Sequence, residues 1–155
     1  MRALYSIFPL LVIPVAIYNF MAFFAGGVDP ELANAAGANV APLATQLNAG
    51  AMKLNMISGV QWQLTNGDLL ILIALALLFI EILKSTSTGT ATIINHAVSM
   101  ILFIVCLMQF LLMQNFATST FFVLTIMTLL DVLAGVVVTI VSARRDFAVG
   151  EGFAG

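Results

Sequence analysis

From Thr118 to Ser142 the chain is apolar but for small polar residues and one ionisable side chain, Asp131. A run of that length and composition has few folds open to it. In lipid every backbone polar group must be satisfied within the chain, so a helix is the default spanning structure. Three further runs are comparable: Ala3–Phe24, Gly67–Leu83 and Ala91–Met113. A span needs about 20 mostly apolar residues, so the expected fold is all-α. It is an integral membrane protein with four transmembrane helices, the last two forming a helical hairpin across the short turn near 115–119. Composition agrees: 62% of residues are hydrophobic and 8% charged, where a soluble domain carries about a quarter charged residues.

At 155 residues the chain reads as a single membrane domain covering 1–155, too short for a large transporter in one copy. Net charge is −2 and basic residues are sparse, which excludes nucleic acid as a partner. Cys106 is the sole cysteine and lies in a span, so it implies neither an internal disulfide nor a redox compartment. Arg2 followed by an apolar stretch has the outline of a signal peptide. That stretch is longer than a usual signal core, so it is read as an anchor span.

Orientation follows from the basic residues. Arg2, Lys84, Arg144 and Arg145 fall on one side of a four-span arrangement, with only Lys53 opposite. Cytoplasmic flanks are enriched in Lys and Arg, so both termini are expected in the cytoplasm, with a cytoplasmic tail at 143–155 and a periplasmic connection at 25–66. Within that connection, Asp29-Pro30-Glu31 has the chemistry of a helix start. Pro42 is expected to open a second helix with Leu43, Leu47, Ala51 and Leu54 on one face, lying on the membrane surface or against a partner; a weakly ordered loop is the alternative. Val60, Trp62 and Leu64 alternate with Gln61, Gln63 and Thr65, the period of a short extended segment. Thr65 and Asp68 have the spacing of a capping box ahead of the second span.

The polar residues inside the spans are the candidate functional residues. A carboxyl at the depth of Asp131 costs about 2.5–3.5 kcal/mol on insertion scales, so it is expected to face protein or trapped water, and to be neutral. Thr128, Asp131, Gly135, Thr139 and Ser142 share a face of the fourth span; Thr92, His96, Ser99 and Cys106 share a face of the third. Folding the hairpin sets Asp131 level with about residue 102, between Ser99 and Cys106. Pro14 stands at a similar depth and frees the carbonyl of Leu10, a further acceptor for a protonated Asp131. Glu81 and Lys84 are three residues apart near one membrane face and can pair. A Glu81–His96 contact is a further expectation from their depths. The intramembrane polar candidates are therefore Asp131, Thr128, Thr139, Ser99, His96 and Glu81. One histidine cannot supply two axial haem ligands or a closed zinc site, and no nucleophile motif is present. No catalytic, cofactor-binding or metal-binding residue is expected, and no cofactor.

The stretches GDLLILIALALLFIEILKSTSTGTATIINHAVSMILFIV and FATSTFFVLTIMTLLDVLAGVVVTIVSARRDFAVG resemble small four-span inner-membrane proteins of Gram-negative bacteria, a group to which no activity is assigned. The resemblance covers residues 67–149, including Glu81, His96, Asp131 and Arg144-Arg145-Asp146. It implies the bacterial inner membrane as location and little else.

Four short spans leave little interior for a private substrate cavity. The expected function is therefore non-catalytic: an accessory or scaffolding subunit of an inner-membrane complex, or a homo-oligomer. Its partners would be membrane lipids and other membrane subunits or copies of itself. The alternative is an oligomeric channel or proton-linked transporter using Asp131, and a membrane enzyme comes third.

Overall fold

A computed structural model describes residues 8–25, 41–85 and 90–151, residues 90–91 and 142–151 by backbone alone. The elements run in the order α1 (Val12–Phe24), α2 (Pro42–Leu47), β1 (Gly50–Asn55), β2 (Gln61–Thr65), α3 (Asn66–Ser85), α4 (Thr90–Leu112), a 3₁₀ turn (Gln114–Phe116) and α5 (Ser119–Glu151). Three helices are long and apolar enough to cross a membrane: Asn66–Ser85, Thr92–Leu112 and Ser119–Val141. The helix of the expected first span covers 13 residues, about 20 Å at the α-helical rise, against a hydrocarbon core of about 30 Å. Residues 1–7, of which 3–7 belong to that expected span, lie outside the described residues, as does the helix start expected at Asp29-Pro30-Glu31.

The expectation of an all-α chain needs correction. β1 and β2 pair antiparallel, with Met52 opposite Leu64, Leu54 opposite Trp62 and Lys53 opposite Gln63. Side chains alternate across a strand, so Met52, Leu54, Trp62 and Leu64 share one face and Lys53, Asn55, Gln61 and Gln63 the other. The turn is closed by Gly59 N–H donating to the Met56 carbonyl (2.9 Å), and Gly59 has φ 82°. That left-handed conformation is open to glycine at little cost. The extended segment read at Val60–Thr65 is thus β2. The helix opened by Pro42 stops at Leu47, so Ala51 and Leu54 belong to β1 and not to a longer amphipathic helix. A glycine at position 50 and the alternation beyond it favour the strand over another helical turn.

The capping box forms as its spacing implies. Thr65 Oγ1 accepts from Asp68 N–H (3.1 Å), and Asp68 Oδ2 accepts from Thr65 N–H (3.0 Å). It joins the hairpin directly to the first turn of α3. Asn66 N–H and Nδ2 bind the Ala49 and Gln46 carbonyls (3.0 Å each), fastening α2 to the same point. Gly67 allows a close approach here: a Cβ would lie 2.6 Å from Thr120 Oγ1 at the start of α5.

α5 is the central helix, with 44% of its most apolar stretch buried, against 28% for α3 and 17% for α4. The core joins Leu11, Val15, Tyr18 and Ala22 of the α1 segment to Leu43 and Leu47 of α2, Leu70, Ala74 and Leu78 of α3, and Phe121, Leu124 and Met127 of α5. The α1 and α3 residues recur at spacings of three and four, so each helix buries one stripe. The opposite faces carry Ile13, Phe20, Phe23, Leu72, Leu75 and Phe79, all exposed on the outside of the bundle. α5 continues as a helix well past Ser142, so the segment expected as a tail is helical as far as Glu151.

α4 and α5 form the expected antiparallel hairpin. Thr118 caps α5, its Oγ1 accepting from Phe121 N–H (3.2 Å), and Phe110 meets Phe122 with ring centroids 5.4 Å apart. α1 runs antiparallel to α3. Its start is bound at the Lys84 end, and its Tyr18 hydroxyl reaches the α4–α5 turn, donating to the Asn115 carbonyl (3.0 Å).

Candidate functional site

The polar residues of the bundle gather on one seam of α4. Asn95, Ser99, Cys106 and Gln109 follow one another at helical spacing, and each meets a different partner across the interhelical space.

Glu81 is the centre of the first group. Its position continues the buried stripe of α3 (Leu70, Ala74, Leu78), and its side chain has no solvent exposure. Glu81 Oε1 accepts from Asn95 Nδ2 (2.6 Å), and Glu81 Oε2 from Leu10 N–H (2.9 Å). Lys84 Nζ lies 3.0 Å from Oε1 and 3.1 Å from Oε2. The same ammonium donates to the Phe8 carbonyl (2.8 Å) and to Asn95 Oδ1 (3.3 Å). One ion pair therefore binds α3, α4 and the chain entering α1. Leu10 N–H stands just ahead of α1, where backbone donors lack an intrahelical acceptor. A carboxylate there is favoured by the helix dipole as well as by the hydrogen bond.

Two expectations are corrected by this arrangement. Glu81 pairs with Asn95 and Lys84, not with His96; the two α4 residues are adjacent in sequence and therefore point about 100° apart. The carbonyl of Leu10 is not left free by Pro14, because Ile13 N–H donates to it (3.0 Å). Pro14 is the third residue of α1, where no intrahelical donor is needed.

Asp131 is 4% exposed and points inward, towards Ser99, which is 2% exposed. One turn deeper, Cys106 faces Thr128, whose hydroxyl donates to the Thr125 carbonyl (2.7 Å). The hairpin thus sets Ser99 and Cys106 to either side of the Asp131 level. His96 packs over Gly135, one turn along α5 from Asp131; a Cβ at position 135 would run into the imidazole. Thr139 does not join this contact. Its side chain is exposed, although it continues the Asp131–Gly135 face, and its hydroxyl returns to the Gly135 carbonyl of its own helix (2.9 Å). The side chain of Ser142 lies outside the described residues.

At the far end a third group escaped the sequence reading. Gln109 Nε2 donates to Asn19 Oδ1 (2.6 Å), and Asn19 Nδ2 donates to the Val15 carbonyl (2.9 Å). Asn115 Nδ2 donates to the Ala22 carbonyl (3.1 Å), and Tyr18 also bonds Thr118. Asn95 and Gln109 were legible as members of the Ser99–Cys106 face, one residue round from the face drawn through His96. Asn19 carried no signal beyond being an amide in an apolar run.

Open grooves lie on the outer surface among the described residues. One, of about 360 Å³, lies at the α4–α5 turn between Phe110, Thr118, Phe122 and Val123. Another, of about 510 Å³, is formed by Leu72, Leu75, Phe79 and Ile82 of α3 alone. Neither is lined by an ionisable residue. Among the described residues, no three His, Cys, Asp or Glu side chains converge as a metal-binding group.

Comparison with family models, curated proteins and solved structures finds no match to this chain.

Proposed function

We propose that the protein is a non-catalytic subunit of the bacterial inner membrane, an accessory or scaffolding element that works by association with other membrane subunits or with copies of itself. The carrying observation is the use made of Glu81. This fully buried carboxylate is consumed in fastening three segments together, and the two grooves described above are lined by no ionisable group. An enzyme deploys perturbed acids and bases in a cleft; here the principal buried ion pair is a structural clasp. The grip of that clasp on the start of α1 also supports a fourth crossing. The apolar outer face of α1 (Ile13, Ile17, Phe20) suits lipid, and Arg2, Lys84, Arg144 and Arg145 then share the cytoplasmic side.

Purification in mild detergent followed by native mass spectrometry from nanodiscs tests the association. A heterocomplex or a defined homo-oligomer is expected, and a clean monomer with nothing bound refutes it. Thiol accessibility at introduced cysteines 45, 87 and 150, in a chain lacking Cys106, tests the crossings. Label reaching position 87 from the periplasm overturns the four-span arrangement.

A further inference from the structure

Asp131 and Ser99 stand apart from the satisfied contacts around them. Both side chains are more than nine-tenths buried, and they face each other across α4 and α5. Yet Asp131 Oδ2 and Ser99 Oγ each lack a well-formed hydrogen bond. A buried polar atom without a partner is destabilising, and a carboxyl at this depth adds its insertion penalty. Packing alone does not require either group, since an apolar pair of similar size would fill the same space.

The surroundings indicate what the pair can hold. Among the described residues, Glu81 and Lys84 on α3 and His96 on α4 are the charged and titratable groups within electrostatic reach. Glu81 and Lys84 are bound to each other. Cys106 lies one turn deeper, against Thr128. The titratable group of α1, Tyr18, is engaged at the opposite end of the bundle. Among the described residues, His96 is therefore the titratable group between Asp131 and the Lys84 end. It is partly exposed and rests on Gly135, one turn outward from the carboxyl. The three side-chain oxygens of Asp131 and Ser99 are far short of the six to eight that a calcium ion takes. A proton needs only one. The serine hydroxyl serves both states, donating to the ionised carboxylate and accepting from the protonated acid.

We propose that Asp131, Ser99 and His96 form a proton-binding site within the membrane. Asp131 carries the proton on its carboxyl, Ser99 orients that carboxyl, and His96 exchanges the proton with the Lys84 end of the bundle. This goes beyond an accessory role, giving the subunit a group that responds to pH on one side.

The test is modification by dicyclohexylcarbodiimide, which adds to protonated carboxyls, on the full chain in lipid nanodiscs between about pH 5 and 9. The adduct is located by peptide mass. The expected result is an adduct at Asp131 whose rate of formation falls by up to about tenfold per pH unit as the acid ionises, with Glu81 unmodified. His96→Gln is expected to move the pH of half-maximal rate while the circular dichroism stays unchanged, a shift that a packing role would not produce. An unmoved profile removes His96 from the site. Absence of the Asp131 adduct across the range, or a rate that ignores pH, overturns the proposal. Protection by sodium or lithium at constant pH also overturns it, by assigning the site to a cation. The pH-difference infrared spectrum of the unmodified chain needs no variant to fold. A carboxyl band that titrates is expected, and a spectrum without one counts against the site.

Discussion

Removing the Glu81 carboxylate is the sharpest test of how this bundle is held. Glu81→Ala deletes the acceptor for three donors: Leu10 N–H, Asn95 Nδ2 and Lys84 Nζ. Interhelical hydrogen bonds in membranes average about 0.6 kcal/mol, so three contribute roughly 2 kcal/mol. Lys84 adds a second cost, because its side chain is 12% exposed and a buried pair broken on one side loses about 3–5 kcal/mol in soluble proteins. Lys84 keeps the Phe8 carbonyl and Asn95 Oδ1, and its chain can snorkel outward, which places the total near the lower bound. The expected loss is about 3 kcal/mol. Unfolding titrations in mixed micelles, followed by circular dichroism, measure it, and Ile82→Ala on the lipid side of the same helix is the control. Lys84→Met alone should also be costly. In the double variant the penalties should fall short of additivity by more than about 1 kcal/mol, the signature of direct coupling. If Glu81→Ala costs no more than Ile82→Ala, the clasp contributes nothing and the structural account of Glu81 is wrong.

Gln109→Leu removes the amide partner of Asn19 and should destabilise the bundle by about 0.6–1.7 kcal/mol, with Asn19→Leu partly suppressing the loss in a double-mutant cycle. Gly135→Ala drives a methyl into the His96 imidazole and should cost about 1–3 kcal/mol by overpacking; His96→Ala in the same chain should relieve it. Trp62, the sole tryptophan, lies on the apolar face of the hairpin next to the start of α3, so lipids brominated near the headgroup should quench its fluorescence more than lipids brominated at the chain ends. Quenching deepest in the bilayer would move the hairpin.

The apolar runs by themselves determined the three long helices, because in lipid a helix satisfies its own backbone and no partner is needed to settle the element. The capping box at Thr65 and Asp68 and the antiparallel pairing of α4 with α5 were legible for the same reason: each is set by neighbours close in the chain. The inward turn of Asp131 towards Ser99 followed from helical spacing and a short connection. The β-hairpin was half legible. The alternation at Val60–Thr65 marked one strand, but the stripe through Leu43, Leu47, Ala51 and Leu54 suited a helix equally well until the partner strand was known. The use of Glu81 was decided by the tertiary structure alone. Its sequence neighbours place it at a helix end beside Lys84, an arrangement equally suited to an exposed interfacial pair. What buries it is the approach of Asn95 from α4 and of Leu10 from the start of α1, 71 residues away. The separation of His96 from Glu81, and its seat on Gly135, likewise depend on the rotation of α4 about its axis. Hydropathy cannot fix that rotation when apolar side chains surround a helix on most sides; only the few polar contacts that must be made inside the bundle select it.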